Sequence, residues 1–173
     1  MNLTTPRLRL RLFQAANINV SYLAWLNDSE VNRFSNQRYY EHTATSCAAY
    51  LAGFEGSINS FLMIEQRQDQ RHIGTAAIYR SYHHRTANIV LMLGERSCWG
   101  QGFGREAWKH LLNALLAEQR IRKVTGGTVR PNEAMVSILE STEMALEAIR
   151  PKHEIVEGFP VDVLYYAAYS IFR

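Results

Sequence analysis

The order of strand and helix patterns along the 173 residues predicts an α+β protein with a mixed, mostly antiparallel central sheet. Three apolar segments of strand character follow one another between residues 61 and 93. A glycine-rich loop, a helix and another strand come next, and this change of pattern indicates a mixed sheet. We expect about seven strands flanked by about four helices, in a single domain that spans residues 1–173.

The first part of the chain predicts one strand and two helices. Leucines alternate with arginines over residues 7–12, and a period of two indicates a half-buried strand. Residues 16–27 place apolar side chains near one helical face. Residues 43–56 predict a second helix, with Thr43 or Thr45 as its N-cap.

The middle of the chain predicts three strands and an amphipathic helix. The strands cover residues 61–64, 72–80 and 88–93, and the polar segment 81–85 turns the last two into a hairpin. Apolar side chains then recur at positions i, i+3 and i+4 over residues 107–116, which predicts a helix that ends near Arg120.

The last part of the chain predicts a strand, a helix and two closing strands. Residues 123–129 form a strand interrupted by two glycines, which suggests a bulge or a close approach of another backbone. A helix is expected from residue 131 to about residue 147. The closing strands are expected at 154–156 and 161–171.

Composition and charge exclude several classes of protein. Apolar residues make up 47% of the chain, yet no apolar run reaches the ~20 residues of a membrane span. The N-terminus lacks the apolar core of a signal peptide, so we expect a cytoplasmic protein. The net charge of +3 is spread among charges of both signs, which suits an anionic small ligand better than a nucleic acid. Neither Cys47 and Cys98 nor the pair His83 and His84 has the spacing of a metal site.

The segment from Trp99 to Ala107 carries the clearest chemical signal. Three glycines alternate with larger residues and a helical pattern begins at once, so backbone N–H groups can surround an anionic group at a helix start. One interpretation is a dinucleotide-binding turn, because residues 102–107 fit G-x-G-x-x-A. That interpretation fits poorly, since the loop lies mid-chain and the strand at 124–129 has no acidic residue to hold a ribose.

A second interpretation covers nearly the whole chain. The sequence resembles the GNAT superfamily of acyl-CoA-dependent N-acetyltransferases, in the branch of ribosomal-protein N-terminal and amino-sugar-nucleotide acetyltransferases. The segments that carry the resemblance are Thr5-Pro6-Arg7-Leu8-Arg9-Leu10-Arg11, Trp25-Leu26-Asn27-Asp28-Ser29-Glu30-Val31-Asn32-Arg33, Ile73-Gly74, Leu93-Gly94-Glu95-Arg96, Trp99 to Ala107, Asn132 and Val161-Asp162-Val163.

Four positions depart from the pattern of the superfamily. Trp99 stands where the superfamily loop often has Gln or Arg, although Trp is common in this branch. Glu143 and Met144 replace a Gly and an aromatic residue at the end of the helix after Asn132, and Leu139 replaces a Tyr near the leaving sulfur. A non-catalytic CoA-binding module is therefore an alternative to an enzyme.

The resemblance implies acetyl-CoA as the donor, with its pyrophosphate on the loop amides and a backbone N–H of the strand end as oxyanion donor. The cofactor residues so implied are Leu93, Gly94, Trp99, Gly100, Gln101, Gly102, Phe103, Gly104, Arg105 and Asn132. Glu95 and Ser137 are the candidate catalytic residues, as a base and as a group near the departing thiolate.

Polar and aromatic side chains crowd the segment from Asn32 to His42, which we call the acceptor loop. Its candidate substrate-binding residues are Arg33, Asn36, Arg38, Tyr39 and His42. The expected acceptor is a primary amine, first that of an amino-sugar nucleotide and second the N-terminal amine of a protein or peptide. No metal is expected, and a homodimer is possible.

Overall fold

A computed structural model of the chain describes residues 1–170, in which eight strands form one sheet with helices on both of its faces. The strands are β1 (Leu3–Thr4), β2 (Leu8–Leu12), β3 (Ser60–Gln66), β4 (His72–Ser81), β5 (Thr86–Leu93), β6 (Lys123–Val129), β7 (Ala145–Val156) and β8 (Phe159–Tyr169). The helices are α1 (Val20–Leu26), α2 (Ala44–Ala52), α3 (Phe103–Leu116) and α4 (Glu133–Ser141). Short 3-10 segments lie at Ala15–Asn17, Asn36–Tyr39 and Arg96–Cys98.

The sheet confirms the predicted α+β class. Its strand order is β1-β2-β3-β4-β5-β6-β8-β7, and β5 and β6 are the parallel pair in an otherwise antiparallel sheet over the described residues. The strand beyond the expected seven is β1, whose two residues are too few to show a period. The predicted last strand extended to Ile171, which lies outside the described residues.

The end of α4 differs from the prediction. The helix was expected to reach about residue 147, but it ends at Ser141. Glu143 has φ +64°, in the left-handed region, and the Met144 N–H turns back to Leu139 O at 3.4 Å. A left-handed residue after the last turn terminates a helix, so Glu143 does here what a glycine commonly does.

Strand β7 is the other large correction, since it covers Ala145–Val156 where the sequence predicted only 154–156. Its pairing with β8 shifts register between Leu146 and Ala148 and again between Arg150 and Glu154. These irregularities break the period-two pattern that a sequence prediction depends on. The two N-terminal helices are also shorter than predicted, and α3 ends at Leu116 rather than near Arg120. Thr43 caps α2 by accepting from Ser46 N–H at 3.1 Å.

Two apolar clusters hold the layers together. On one face α3 buries Trp108 and Leu111 completely against the sheet. On the other face Tyr22 and Trp25 of α1 pack against Phe61 of β3 and neighbouring side chains. No helix of residues 1–170 is both long and apolar enough to cross a membrane.

Candidate active site

The strands β5 and β6 separate in the middle of the sheet. Their parallel pairing is confined to Thr86–Asn88 against Lys123–Thr125. Asn88 Nδ2 donates to Thr125 Oγ1 at 3.0 Å across the last pair. Beyond it, residues 89–93 pair with β4 and residues 126–129 pair with β8, so a gap opens between the two strands. We call this opening the strand gap.

The backbone N–H of Leu93 is directed towards the strand gap. Leu93 lies opposite Gly74 of β4, and the next residue, Gly94, donates its N–H to Ile73 O at 3.0 Å. Because N–H groups alternate in direction along an antiparallel ladder, the Leu93 N–H must be directed away from β4. The Leu93 carbonyl accepts from Trp99 Nε1 at 2.9 Å, which joins the strand end to the following loop.

Gly94 follows directly and lies under the indole ring of Trp25. A Cβ atom on Gly94 would overlap that ring, so α1 approaches the strand end as closely as it does only because the residue is glycine. The His72 ring meets Trp25 edge-on, with centroids 4.9 Å apart. Burial, together with the charge of Arg11, lowers the pKa of His72 to about 4 against the raising effect of its hydrogen bond to Gly74 O, so the imidazole is neutral at physiological pH.

The glycine loop, residues 99–104, leads into the start of α3. Gly100 and Gly102 have φ values of +72° and +79°, in the region that disfavours side chains. The first backbone hydrogen bond of α3 runs from Glu106 N–H to Gly102 O at 3.0 Å, and no side chain caps the helix start. The preceding N–H groups are therefore available to an anion, and the helix dipole favours negative charge there.

The third glycine sets the loop beside the strand gap. A Cβ on Gly104 would lie 3.0 Å from Ile138 Cδ1 and 3.3 Å from Leu93 Cδ1. The start of α3 thus packs against α4 on one side and the end of β5 on the other. Phe103 is buried beside it, and Arg105 is exposed without a hydrogen bond or ion pair to residues 1–170.

Asn132 and Gln101 both have partners within the protein. The Asn132 carbonyl oxygen accepts from Met135 N–H at 3.3 Å as the cap of α4, and its Nδ2 donates to Thr128 Oγ1 at 3.0 Å. Gln101 Nε2 donates to Ser97 O at 2.5 Å. These contacts fix α4 to the end of β6 and hold the loop in shape.

Glu95 is a capping carboxylate. Its Oε1 accepts from the hydroxyl of Ser97 at 2.6 Å and from Ser97 N–H at 3.1 Å. These two hydrogen bonds lower the pKa of Glu95, with a smaller contribution from Arg71, so the group is ionised near neutral pH. A carboxylate with a lowered pKa attracts cations and is a weak proton acceptor.

Ser137 and Leu139 of α4 lie in different surroundings. Ser137 is exposed and lines a surface cavity of about 470 Å³ together with Glu133 and Glu140. Leu139, at the position of the missing Tyr, is completely buried, and its Cδ2 would lie 3.2 Å from a Cβ on Gly126. The sequence predicted a bulge or a close approach of another backbone at the two glycines of β6. At Gly126 the close neighbours are instead side chains, since the ring of Trp108 also packs there.

Most of the predicted acceptor residues bind residues 154–158, the end of β7 and the turn that leads to β8, which sequence reasoning did not single out. We call this segment the β7–β8 turn. Arg33 donates to Glu157 through Nε at 2.7 Å and Nη2 at 3.1 Å. Asn36 Nδ2 lies 3.5 Å from Glu154 Oε1, and both Arg38 Nη2 and the Tyr39 hydroxyl donate to Ile155 O, at 2.8 and 3.1 Å. His42 stands apart, with Nε2 3.1 Å from Gln37 O.

The motif from Trp25 to Arg33 shapes the start of the acceptor loop. Asn32 is buried and donates through Nδ2 to the carbonyls of Leu26 and Trp25, the latter at 3.3 Å. Asn27 exchanges two hydrogen bonds of 2.9 Å with the backbone of His42, so both ends of the loop are fixed to α1. The side-chain amides of Asn27 and Asn32 therefore fix the backbone of the acceptor loop.

The face of β5, β6 and β8 opposite α3 is open to solvent beside the strand gap. Met92 packs on the cluster below α1, and alternation puts Val90 on the same face, where it is 50% exposed. Gly127 and Tyr169 are also exposed on this side. We call this region the open sheet face.

Metal chemistry has no support in the described residues. Among residues 1–170 no three His, Cys, Asp or Glu side chains are grouped as an ion would need. Cys47 and Cys98 are free thiols, and both are buried.

Comparison with known proteins agrees with the geometry. The sequence profile of the acetyltransferase (GNAT) domain family matches residues 7–145. No curated protein sequence gave a significant match.

Solved structures share the fold at low sequence identity. A ribosomal-protein α-N-acetyltransferase in complex with coenzyme A superposes with a TM-score of 0.87 at 16% identity, over 100% of both chains. A spermidine N-acetyltransferase from Vibrio cholerae in complex with CoA and spermine gives 0.85 at 17% identity, over 96% of this chain and 97% of the other. A microcin C7 self-immunity acetyltransferase in complex with acetyl-CoA and AMP gives 0.81 at 14%, over 95% and 93%.

These likenesses concern the fold, and the family assignment rests on the profile. That profile covers most of the chain, from the residue before β2 to the first residue of β7. The chain therefore belongs to the GNAT acetyltransferase family and is an acyl-CoA-dependent N-acetyltransferase with acetyl-CoA as its donor.

Proposed function

We propose that acetyl-CoA lies with its thioester in the strand gap and its pyrophosphate on the glycine loop. The observation that carries this proposal is the combination of two separating parallel strands with an uncapped helix start whose loop glycines have positive φ. The cofactor residues of the proposal are those predicted from the sequence, from Leu93 and Gly94 through the glycine loop to Arg105, and Asn132 at the cap of α4.

The reaction is direct attack of a neutral amine on the thioester carbonyl. A bond forms between the amine nitrogen and the carbonyl carbon, and the carbon–sulfur bond then breaks to release CoA as a thiolate. The Leu93 N–H is the donor for the oxyanion, since it is directed into the strand gap. The proton lost by the nitrogen passes through solvent to the thiolate, so atoms and charge balance.

Glu95 is assigned an electrostatic role rather than that of a general base. Its carboxylate stays ionised because the hydrogen bonds from Ser97 lower its pKa, and it attracts the ammonium form of the acceptor. Ser137 is on the exposed side of α4, so it receives no step in this proposal.

The acceptor proposed first is the N-terminal amine of a polypeptide. The open sheet face beside the strand gap supports it, because an extended segment fits a solvent-exposed surface lined by Val90 and Gly127. An amino-sugar nucleotide is the second candidate, supported by the guanidinium groups of Arg33 and Arg38 on the acceptor loop. It would have to replace the contacts that these arginines make with the β7–β8 turn.

An acceptor panel tests the proposal. Release of CoA thiol from acetyl-CoA is measured with peptides of varied N-terminal residue, amino-sugar nucleotides and polyamines. Release with peptides alone supports the first acceptor, and release with amino-sugar nucleotides alone replaces it by the second. Binding of acetyl-CoA without release for any amine would instead favour a non-catalytic module. Thermal stabilisation by NAD and not by acetyl-CoA would contradict the donor site itself.

We also propose a homodimer that forms through β7. This strand is the edge of the sheet, it is 12 residues long, and Leu146 and Ile149 are 48% and 43% exposed. A long edge strand with exposed apolar groups is a site for pairing with another chain. Sedimentation equilibrium of the wild type and of Ile149→Lys measures it, and a monomeric wild type would contradict the proposal.

A further inference from the structure

The turn between β1 and β2 lies against the glycine loop, although it is about a hundred residues away in sequence. This turn contains Thr5 and Arg7, the start of the motif Thr5-Pro6-Arg7. The proposed function gives neither residue a role. Their contacts with the start of α3 are the basis of the inference that follows, which rests on the proposed donor site.

The Arg7 guanidinium is held by three residues of the glycine loop and α3. Its Nε donates to Glu106 Oε2 at 2.6 Å, and its Nη1 donates to Gln101 O at 2.9 Å. The guanidinium carbon lies 4.3 Å from the centre of the Phe103 ring. Two hydrogen bonds and a stacked ring fix the plane of the guanidinium, so its remaining N–H groups have a defined direction.

Glu106 completes this arrangement in the first turn of α3. Its other oxygen accepts from the Thr5 hydroxyl at 2.5 Å and from Arg7 N–H at 2.8 Å. Burial raises the pKa of Glu106, but the hydrogen bonds from Thr5 and Arg7 outweigh it, and the pKa is lowered overall. The carboxylate is therefore ionised at neutral pH and keeps the Arg7 side chain in place.

One side of the Arg7 guanidinium remains unused. Among residues 1–170, Nη2 of Arg7 has no hydrogen bond or ion pair. This nitrogen is the atom nearest to a Cβ placed on Gly102, at 3.5 Å. It therefore lies over Gly102, the residue before α3, beside the N–H groups of the helix start that no side chain caps.

A cavity next to this nitrogen carries further positive charge. It has a volume of about 400 Å³ and is lined by Pro6, Arg7, Gln66, Arg67, Gln68 and Phe103. Arg67 is fixed at its edge, because Nη1 donates to Thr5 O at 3.0 Å and to Pro6 O at 3.1 Å. Two oriented guanidinium groups and a helix start favour a ligand with more than one negative charge.

We propose that Arg7 is a phosphate ligand of the donor site, which binds the diphosphate of CoA through Nη2 together with the amides of the glycine loop. Its Nε and Nη1 hold the loop, and its Nη2 contacts the ligand. The N-terminal turn is then part of the donor site, and the Thr5-Pro6-Arg7 motif has a physical explanation: Thr5 orients Glu106, and Glu106 orients Arg7.

The test compares ligands with and without the diphosphate. Dissociation constants of CoA and of pantetheine are measured by calorimetry for the wild type, Arg7→Gln and Arg9→Gln. Arg9→Gln is the matched control, because Arg9 lies two residues further along the chain, on β2, its side chain is 60% exposed, and its Nη1 is 3.9 Å from Glu65. A charged hydrogen bond of about 1.5–3 kcal/mol corresponds to a loss of about 10- to 100-fold in CoA affinity for Arg7→Gln.

The ratio of the two dissociation constants separates the outcomes. We expect Arg7→Gln to weaken CoA binding and leave pantetheine binding unchanged, and Arg9→Gln to change neither. Equal weakening of both ligands, or an unchanged CoA affinity, would overturn the assignment of Arg7. If the wild type itself bound CoA no more tightly than pantetheine, the glycine loop would not be a diphosphate site and the proposed donor site would fail as well. Arg7→Lys, which keeps the charge without the planar fork, is expected to bind CoA with intermediate affinity.

Discussion

The proposed donor half and the proposed acceptor half of this protein are built from different kinds of contact. The donor half consists of the glycine loop, the start of α3 and the end of β5, and its groups are mainly backbone N–H groups presented by glycines with positive φ. The acceptor half consists of the acceptor loop and the β7–β8 turn, joined by side chains such as Arg33 and Glu157. The backbone groups of the donor half are neighbours in sequence, although Arg7 reaches them from the N-terminal turn, whereas the side-chain pairs of the acceptor half join residues more than a hundred positions apart.

This difference bears on specificity. The proposed donor site uses backbone groups and tolerates few substitutions, because the required φ values exclude most residues. Exposed side-chain pairs contribute little to stability and are easily exchanged. The acceptor half is therefore the part of the fold that can change its substrate without loss of the donor site.

Among the variants that compare the two halves, the largest expected effect on the KM for acetyl-CoA comes from Gly102→Val, with Gly158→Val as the matched control. Both glycines have positive φ, +79° and +84°, but Gly158 is in the β7–β8 turn. Forcing a side chain into this region costs about 1–2 kcal/mol of stability. If the loop relaxes instead, the same free energy corresponds to a loss of roughly 5- to 30-fold in ligand affinity. We expect Gly102→Val to raise the KM for acetyl-CoA and Gly158→Val to raise the KM for the acceptor. Equal effects of both variants on acetyl-CoA would contradict the separation of the two halves.

Gly94→Ala tests the junction between the halves. The added Cβ would overlap the Trp25 ring, and overpacking of this kind costs about 1–3 kcal/mol. We expect a lower kcat, because the neighbouring Leu93 N–H moves, and a Tm that falls by about 2–4 °C for each kcal/mol. Replacing Trp25 by Leu in the same chain should recover part of both. A Gly94→Ala variant with the kcat and Tm of the wild type would remove the need for glycine here.

A smaller effect is expected for the ion pair of the acceptor half. Arg33→Ala and Glu157→Ala should leave Tm nearly unchanged, since side-chain exposures of 45% and 59% make the pair an exposed one. Each should change the acceptor KM severalfold and leave the KM for acetyl-CoA unchanged. Asp69→Ala is the control, because it removes a carboxylate of similar exposure, 52%, in the β3–β4 turn. A change in the acetyl-CoA KM for Glu157→Ala alone would argue against the assignment.

The pH dependence of the rate distinguishes the two roles considered for Glu95. Its pKa is lowered, so the group is ionised throughout the range above the ordinary value of about 4.3. The rate should therefore rise with pH according to the pKa of the acceptor amine, at about 8 for an N-terminal amine. Glu95→Gln should raise the acceptor KM without moving this rise. Loss of the rise in the variant would restore Glu95 as a general base.

The smallest effect concerns stability at acid pH. Because folding lowers the pKa of Glu106, its ionised form stabilises the protein above its unfolded pKa, and this contribution disappears as pH falls through the folded pKa. Glu106→Gln should lower Tm at pH 7, and its Tm should approach that of the wild type below about pH 4. A constant difference in Tm between pH 7 and pH 3 would contradict the ionised carboxylate.

The strand, loop and helix of the proposed donor half were predicted well because their signals are local. The apolar strand, the glycine spacing and the amphipathic pattern after Ala107 all lie within about 30 residues. The fold class and the strand–loop–helix unit followed from the same patterns. The partners of Arg33 and Arg38 were not predictable, because the β7–β8 turn carries no motif and reaches them only through the tertiary fold.

Two errors of the prediction concern the end of α4 and the strand β7 that follows it. Glu143 ends α4 in a left-handed conformation that only glycine or asparagine would have signalled. The register shifts of β7 then break the alternation that reveals a strand. Asn132 was placed correctly at the start of α4, and its side chain caps that helix.

The most direct test of the account is an amide chemical-shift titration of the protein with CoA. If the glycine loop and the end of β5 form the donor site, the largest shifts occur at Leu93 and at residues 101–105, and residues 33–39 and 154–157 change little. Shifts concentrated in the acceptor loop, or none at residues 101–105, would contradict the central claim that the glycine loop and the end of β5 form the donor site.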